Sequence, residues 1–399
     1  MTEEPVTTPP VAHRRLFIAS MVALLVFAGA VTTPAICLRQ MGEVFGMDLG
    51  DRGFVAAVRV AMVLFGVLLT GYLADRMGKG PFLVAGLTLL AAGLALTTFA
   101  GSFGALLMTQ AVMGLGAGAM EAQVNPLVAE LHPKNPARAL NVVNGLFSIG
   151  VVASALMSGE ILEAGGGWRA CFWVWVLPAL VGASLFATRR YPRAAIENHA
   201  PDGQGFLKMP LFWLLAVAMV CGGGCEAGLT YWGPNFTEAE FGATARAGAW
   251  STVMFGGFMA AGRFASGGLV SRISPIMLLM VSAVGCVGAT LGLSFVSSVQ
   301  GVWALFGLGG LFIACSWPTI LAIASAHIGN STTMFAVLAA FGIGGCTIFP
   351  WAIGAIGDLA GLRVGVVILP ISMAIQAVVL VAVWRMGAGC GSPSTESCD

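Results

Sequence analysis

Twelve long apolar runs, parted by short polar breaks, dominate the chain. They lie near residues 16–38, 53–74, 81–101, 103–130, 138–162, 168–188, 209–236, 246–270, 274–296, 299–326, 332–357 and 363–385. Each reaches roughly the 20 residues that a helix needs to cross a ~30 Å hydrocarbon layer. The runs are too long for barrel strands and show no period-two alternation. Helix is therefore the spanning state, because only a helix satisfies its own backbone in lipid over such a length. The 103–130 and 299–326 runs have length to spare for tilt.

Polar breaks divide the runs six and six. The longest, residues 189–208, holds Pro192, Pro201 and Gly203. The expected organisation is a cytoplasmic tail (1–15), a six-helix bundle (16–188), a cytoplasmic linker (189–208), a second six-helix bundle (209–386) and a disordered cytoplasmic tail (387–399). Two such halves suit a chain built from internal repeats. With both termini in the cytoplasm, twelve Lys and Arg residues fall on cytoplasmic segments and five (Arg39, Arg52, Arg169, Arg246, Arg363) on the opposite side, as the positive-inside rule requires.

Composition adds the solvent. Only 9% of the residues are charged and 58% are hydrophobic. A soluble domain carries about 25% charge, so lipid must cover most of the surface. The expectation is an inner or plasma membrane protein, monomeric, with the bilayer as its main partner. A net charge of +1 and the absence of any basic stripe give no nucleic-acid partner. Cys221 and Cys225 share a helix face but lack a second ligand pair, so no metal site or cofactor is expected. The four histidines fall in the tail or loops, which leaves no nucleophile–base pair for an enzyme. Trp168, Trp173, Trp175, Phe172, Trp250 and Trp303 read mostly as an interfacial belt or lipid-facing packing.

Polar groups inside the runs are the candidate chemistry. Span four reads Gly114-Leu-Gly-Ala-Gly-Ala-Met-Glu121-Ala-Gln123-Val-Asn125-Pro126. Its alternating glycines allow close helix contact. Glu121 lies ten residues from the cytoplasmic end, ~15 Å deep at 1.5 Å per residue. A carboxylate there either faces a polar cavity or holds a proton. Asn125 is one turn away on the same face, and Pro126 is expected to disturb the backbone locally. In span five Asn141, Asn144 and Ser148 share one stripe. In span seven Glu226, Tyr231, Trp232, Pro234 and Asn235 follow Gly222-Gly223-Gly224, and Trp317 precedes Pro318 in span ten. Amides, carboxylates and indole faces together suit a polyhydroxylated solute. Arg59, inside span two, either snorkels or binds an anion. Arg263, inside span eight, reads as structural.

The loop after span two reads Gly71-Tyr-Leu-Ala-Asp75-Arg76-Met-Gly78-Lys79. It resembles the G-x-L-a-D-r-x-G-r-k signature of the major facilitator superfamily, with an echo at Gly262–Arg272. The resemblance covers the whole chain. It implies an all-α membrane fold of twelve transmembrane helices in two pseudo-symmetric six-helix halves, secondary transport, and a conformational latch at Gly71, Asp75, Arg76, Gly78 and Lys79. Spans four, five and seven further resemble the fucose permease-like branch of proton-coupled sugar symporters. That likeness implies a part in proton coupling and sugar binding for Glu121. From the chemistry of the residues themselves, substrate contacts are expected at Gln123, Asn125, Asn141, Asn144, Tyr231, Trp232, Asn235 and Trp317, with Glu226 a candidate second acid. Three positions depart from the branch: Ala35, Phe147 and Gln110 replace an Asp, an Asn and an Arg. Three schemes stay open: Glu121 alone, Glu121 with Glu226, or uncoupled facilitation. An organic anion or amphiphile carried through Arg59 is the alternative cargo.

Overall fold

The computed structural model describes residues 10–132, 136–188, 191, 204–269, 273–328 and 332–388. The helices are α1 (Pro10–Ile36), α2 (Leu38–Phe45), α3 (Leu49–Met77), α4 (Lys79–Thr98), α5 (Phe103–Leu131), α6 (Pro136–Glu163), α7 (Trp168–Phe186), α8 (Pro210–Phe241), α9 (Ala245–Leu269), α10 (Pro275–Gly292), α11 (Val299–Ile313), α12 (Ser316–His327), α13 (Thr332–Ala360), α14 (Leu362–Gly365) and α15 (Ile368–Val383). Eleven segments of the described residues are long and apolar enough to cross a membrane, with α11–α12 and α14–α15 each forming one such segment. Helix α9 is not among them; it carries Arg246 and Arg263.

Turn chemistry sets the helix ends. Ser102, Ser274 and Ser298 each accept a hydrogen bond from the third amide beyond them, satisfying a donor that the first turn leaves free. Gly78 stops α3 at φ +77°, a left-handed conformation that a side chain strains. Ser102→Ala is expected to cost about 1 kcal/mol, read as a small fall in melting temperature of the detergent-purified protein.

Three features differ from the sequence expectation. The polar stretch after span one folds as α2, whose Leu38 and Met41 are buried. Helix α8 continues past residue 236 to Phe241. Helix α5 runs unbroken through Pro126, while span ten breaks at Ala314–Cys315, just before Trp317 and Pro318.

The chain folds into two units. One comprises Met1–Asn198 with Pro234–Val253; the other comprises His199–Gly233 with Met254–Asp399. Helix α8 changes unit at Gly233–Pro234, where Pro234 removes a backbone donor and loosens the helical ladder.

In the first unit α5 packs against both α3 and α4. A Cβ at Gly114 or Gly118 would collide with the backbone carbonyl oxygens of Arg59 or Val63 in α3. A Cβ at Gly116 would meet the backbone of Gly86 and Leu90 in α4. Small residues bring these backbones together where lipid offers no hydrophobic drive between helices. In the second unit Gly222, Gly223 and Gly224 serve α8 in the same way, against Ser316, Gly342 and Phe349. Trp168 and Trp175 are buried, which corrects the belt expectation for them; Trp173 is exposed. Trp168 stacks edge-on against Phe45 and Phe172, because α2 folds over the start of α7.

Candidate functional site

In the first unit the close α3–α5–α4 packing carries Glu121 into the middle of α5. The side chain is half-buried and makes no hydrogen bond or ion pair among the described residues. The polar groups around it differ in burial and in the elements they lie on. Gln123 is buried, and its amide donates to the carbonyl of Thr70 in α3 at 3.2 Å, a helix–helix bond. Asn125 is half-buried. Asn141 and Asn144 lie on α6, with side chains outside the described residues. Arg59 is buried and donates to Gln110 Oε1 at 3.4 Å, and the Gln110 amide reaches Thr97 and Met113. Gln110 thus ties α3, α4 and α5 into one polar contact.

The signature loop sits at the far end of α3. Lys79 pairs with Glu130 of α5. Arg76 stays on its own helix, donating to the Tyr72 hydroxyl at 2.9 Å and lying over that ring. Gly71 faces open space: no heavy atom among the described residues lies within 4 Å of where its Cβ would stand. The Asp75 side chain lies outside the described residues. Nearby, the Tyr191 hydroxyl donates to the Phe186 carbonyl, and burial pushes its phenol pKa upward.

In the second unit Glu226 of α8 faces Arg263 of α9 at 3.7 Å. Both are partly exposed, at 29% and 40% of their side-chain surface. Trp232 is fully buried, and its indole N–H donates to the Pro350 carbonyl at 2.9 Å. Its ring therefore packs α8 on α13. Tyr231 is buried edge-on against it. Trp317 is half-buried and lies over Gly342, where a Cβ would meet its ring at 2.5 Å.

Asn235, the last of the expected contacts, belongs to the first unit. It is 1% exposed, and neither its amide nitrogen nor its amide oxygen has a partner. One turn further, Glu238 is also buried and accepts a hydrogen bond from Arg39 at 2.7 Å. Sequence reasoning missed Glu238, because it placed the end of span seven at residue 236. The signal available was the spacing from Asn235: three residues on, Glu238 shares its helix face.

Long apolar helices with a glycine-packed core define a multi-pass membrane protein. Residues 16–336 match the Major Facilitator Superfamily, and the chain belongs to that superfamily of transporters. It is 24% identical over 341 residues to the 3-(3-hydroxy-phenyl)propionate transporter of Escherichia coli, covering 80% of this chain and 78% of that protein. It is likewise 24% identical to the cis,cis-muconate transport protein of Acinetobacter baylyi, over 57% of this chain and 58% of that protein. Among solved structures, a bacterial homolog of the human lysosomal transporter Spinster has a TM-score of 0.80 at 15% identity, over 97% of this chain and 100% of that one. The D-xylose–proton symporter has a TM-score of 0.76 at 15% identity, over 93% and 97%. These structural likenesses show the fold.

Proposed function

We propose that this chain carries a small neutral polyol, a sugar or sugar derivative, by alternating access coupled to protons. Glu121 is the observation that supports it. A carboxylate in mid-helix with no cation paired to it among the described residues repels an anion, accepts hydrogen bonds from hydroxyls, and is stable in an occluded state once protonated. Asn125, Asn141 and Asn144 supply amides for the hydroxyls, and Trp317 supplies a ring face. Gln123 holds α5 to α3, and Trp232 holds α8 to α13. Glu226 is the second acid, released or recaptured by Arg263. The loop Gly71–Lys79 stabilises one access state through Lys79 and Glu130. The protein works as a monomer in the inner or plasma membrane with both termini cytoplasmic.

A second reading is transport of an organic anion. The two relatives named for hydroxyphenylpropionate and muconate favour it, together with the partly exposed Arg263. Arg59 supports it less, since its guanidinium is buried against Gln110. Uptake into proteoliposomes with an imposed pH gradient, across a panel of hexoses, polyols, aromatic acids and dienedioates, separates the two. Accumulation of a neutral polyol is expected. Accumulation of carboxylates alone would replace the sugar reading with the anion reading.

A further inference from the structure

The segment Pro234–Val253, formed by the end of α8 and the start of α9, packs with the first unit although the rest of both helices belongs to the second. Ion pairs that hold it include Glu238 to Arg39 of α2 and Arg246 to Glu160 of α6. The second pair is exposed on both sides, and water screens it. The first is asymmetric. The Glu238 side chain is 3% exposed, while that of Arg39 is 42% exposed.

The burial of Glu238 is incomplete in its bonding. Arg39 satisfies Oε2, but Oε1 is buried without a partner, facing Gly248 of α9, where a Cβ would stand 2.8 Å from it. Asn235, one turn inward, is buried with both amide atoms unpartnered, and so is the hydroxyl of Thr252 on α9. Leaving such groups unmade is costly. Arg39 meanwhile has a second carboxylate within reach: Glu43, one turn along α2, at 3.5 Å. The guanidinium thus has two resting partners, whereas the Glu238 carboxylate has one.

From this we infer that Glu238 is a second proton-binding site, separate from Glu121, and that its protonation frees the Pro234–Val253 strap from α2. A proton on Glu238 removes the attraction to Arg39, and Arg39 then pairs with Glu43. The neutral carboxyl gains a donor that can turn to Asn235 Oδ1, one turn away on the same helix face. Pro234 supplies the hinge, because the helix already lacks a ladder bond there. The charged and titratable groups around Glu238 are Arg39 and Glu43 of α2, Arg52 of α3 and the Cys37 thiol between α1 and α2. Helix α9 offers Gly248 at this point, and its Arg246 is turned to Glu160. Of this set, Glu238 is the acid that is buried and half-bonded. With cytoplasmic termini this end faces outside, so the strap responds to external acid.

The test is hydrogen exchange of the full chain in nanodiscs, read at peptides from 234–253 and corrected for intrinsic pH dependence. No substrate or gradient is present, so the outcome is independent of the sugar and Glu121 readings. Between pH 8 and pH 5 the wild-type strap is expected to lose protection by about tenfold or more, while α5 peptides stay constant. Glu238→Gln should be unprotected at both pH values, and Glu160→Gln should keep the wild-type response. Arg39→Gln, at a half-exposed position, should also be unprotected throughout and carries the test if Glu238→Gln does not fold. The pH-difference infrared spectrum of wild type should contain a carboxyl band that Glu238→Gln lacks. Strap protection that is constant with pH, a Glu238→Gln strap that still responds, or an unchanged carboxyl band would each overturn the proposal.

Discussion

Glu121→Gln is expected to abolish uphill accumulation of substrate while leaving counterflow exchange intact. The amide is isosteric and neutral, so it mimics the protonated state that permits occlusion and loaded exchange. It cannot release a proton, so transport loses its link to the gradient. For one proton per solute, each pH unit supplies 1.36 kcal/mol, which is about a tenfold concentration ratio. In proteoliposomes that ratio should fall to about one in the mutant, with exchange rates near wild type. Accumulation retained by Glu121→Gln would remove Glu121 from the coupling scheme and turn attention to Glu226. Loss of both accumulation and exchange would assign the side chain to substrate binding. The lack of an ion pair at Glu121 among the described residues favours the first outcome, since no neighbouring group there depends on its charge.

Gly118→Leu should be the most disruptive single change in the first unit. A side chain there runs into the Val63 carbonyl of α3, and backbone cannot swing aside as a rotamer can. Moving α3 would also disturb the Arg59–Gln110–Thr97 contact. Overpacking of this kind costs about 3 kcal/mol, or a melting temperature lower by about 10 °C. Size-exclusion and thermal melting of the detergent-purified protein measure both. Gly104→Ala is the control: its Cβ meets nothing within 4 Å, and it should be neutral or slightly stabilising. Equal behaviour of the two variants would refute the close α3–α5 contact.

The helices were legible in the sequence because a lipid-spanning segment must be long, apolar and internally bonded. Those demands act locally, so the run at 103–130 reappears as α5 at Phe103–Leu131. Legibility faded where polarity and helix coincide. Helix α2 has a buried edge and charged Arg39 and Glu43, so composition alone made it a loop. The last turn of α8 contains Thr237, Glu238 and Glu240, and the same reasoning cut it off.

For the candidate site the sequence named residue types without their partners. Gln123 and Asn125 both read as substrate contacts, yet the Gln123 amide is spent on the Thr70 carbonyl. Trp232 looked like a platform for a sugar, but its indole N–H is bound to Pro350. Arg59 looked like an anion site, but Gln110 takes its guanidinium.

The sequence by itself determined a helical membrane bundle, its span positions, its superfamily signature and the mid-span placement of Glu121. Each follows from hydropathy, spacing or a contiguous motif. Only the tertiary structure decided which polar groups are bonded to each other, that α8 changes unit at Pro234, and that Glu238 is buried against Arg39. Those depend on contacts between residues up to 199 positions apart in the chain. Hydropathy reports what a residue avoids, and only packing reports what it meets.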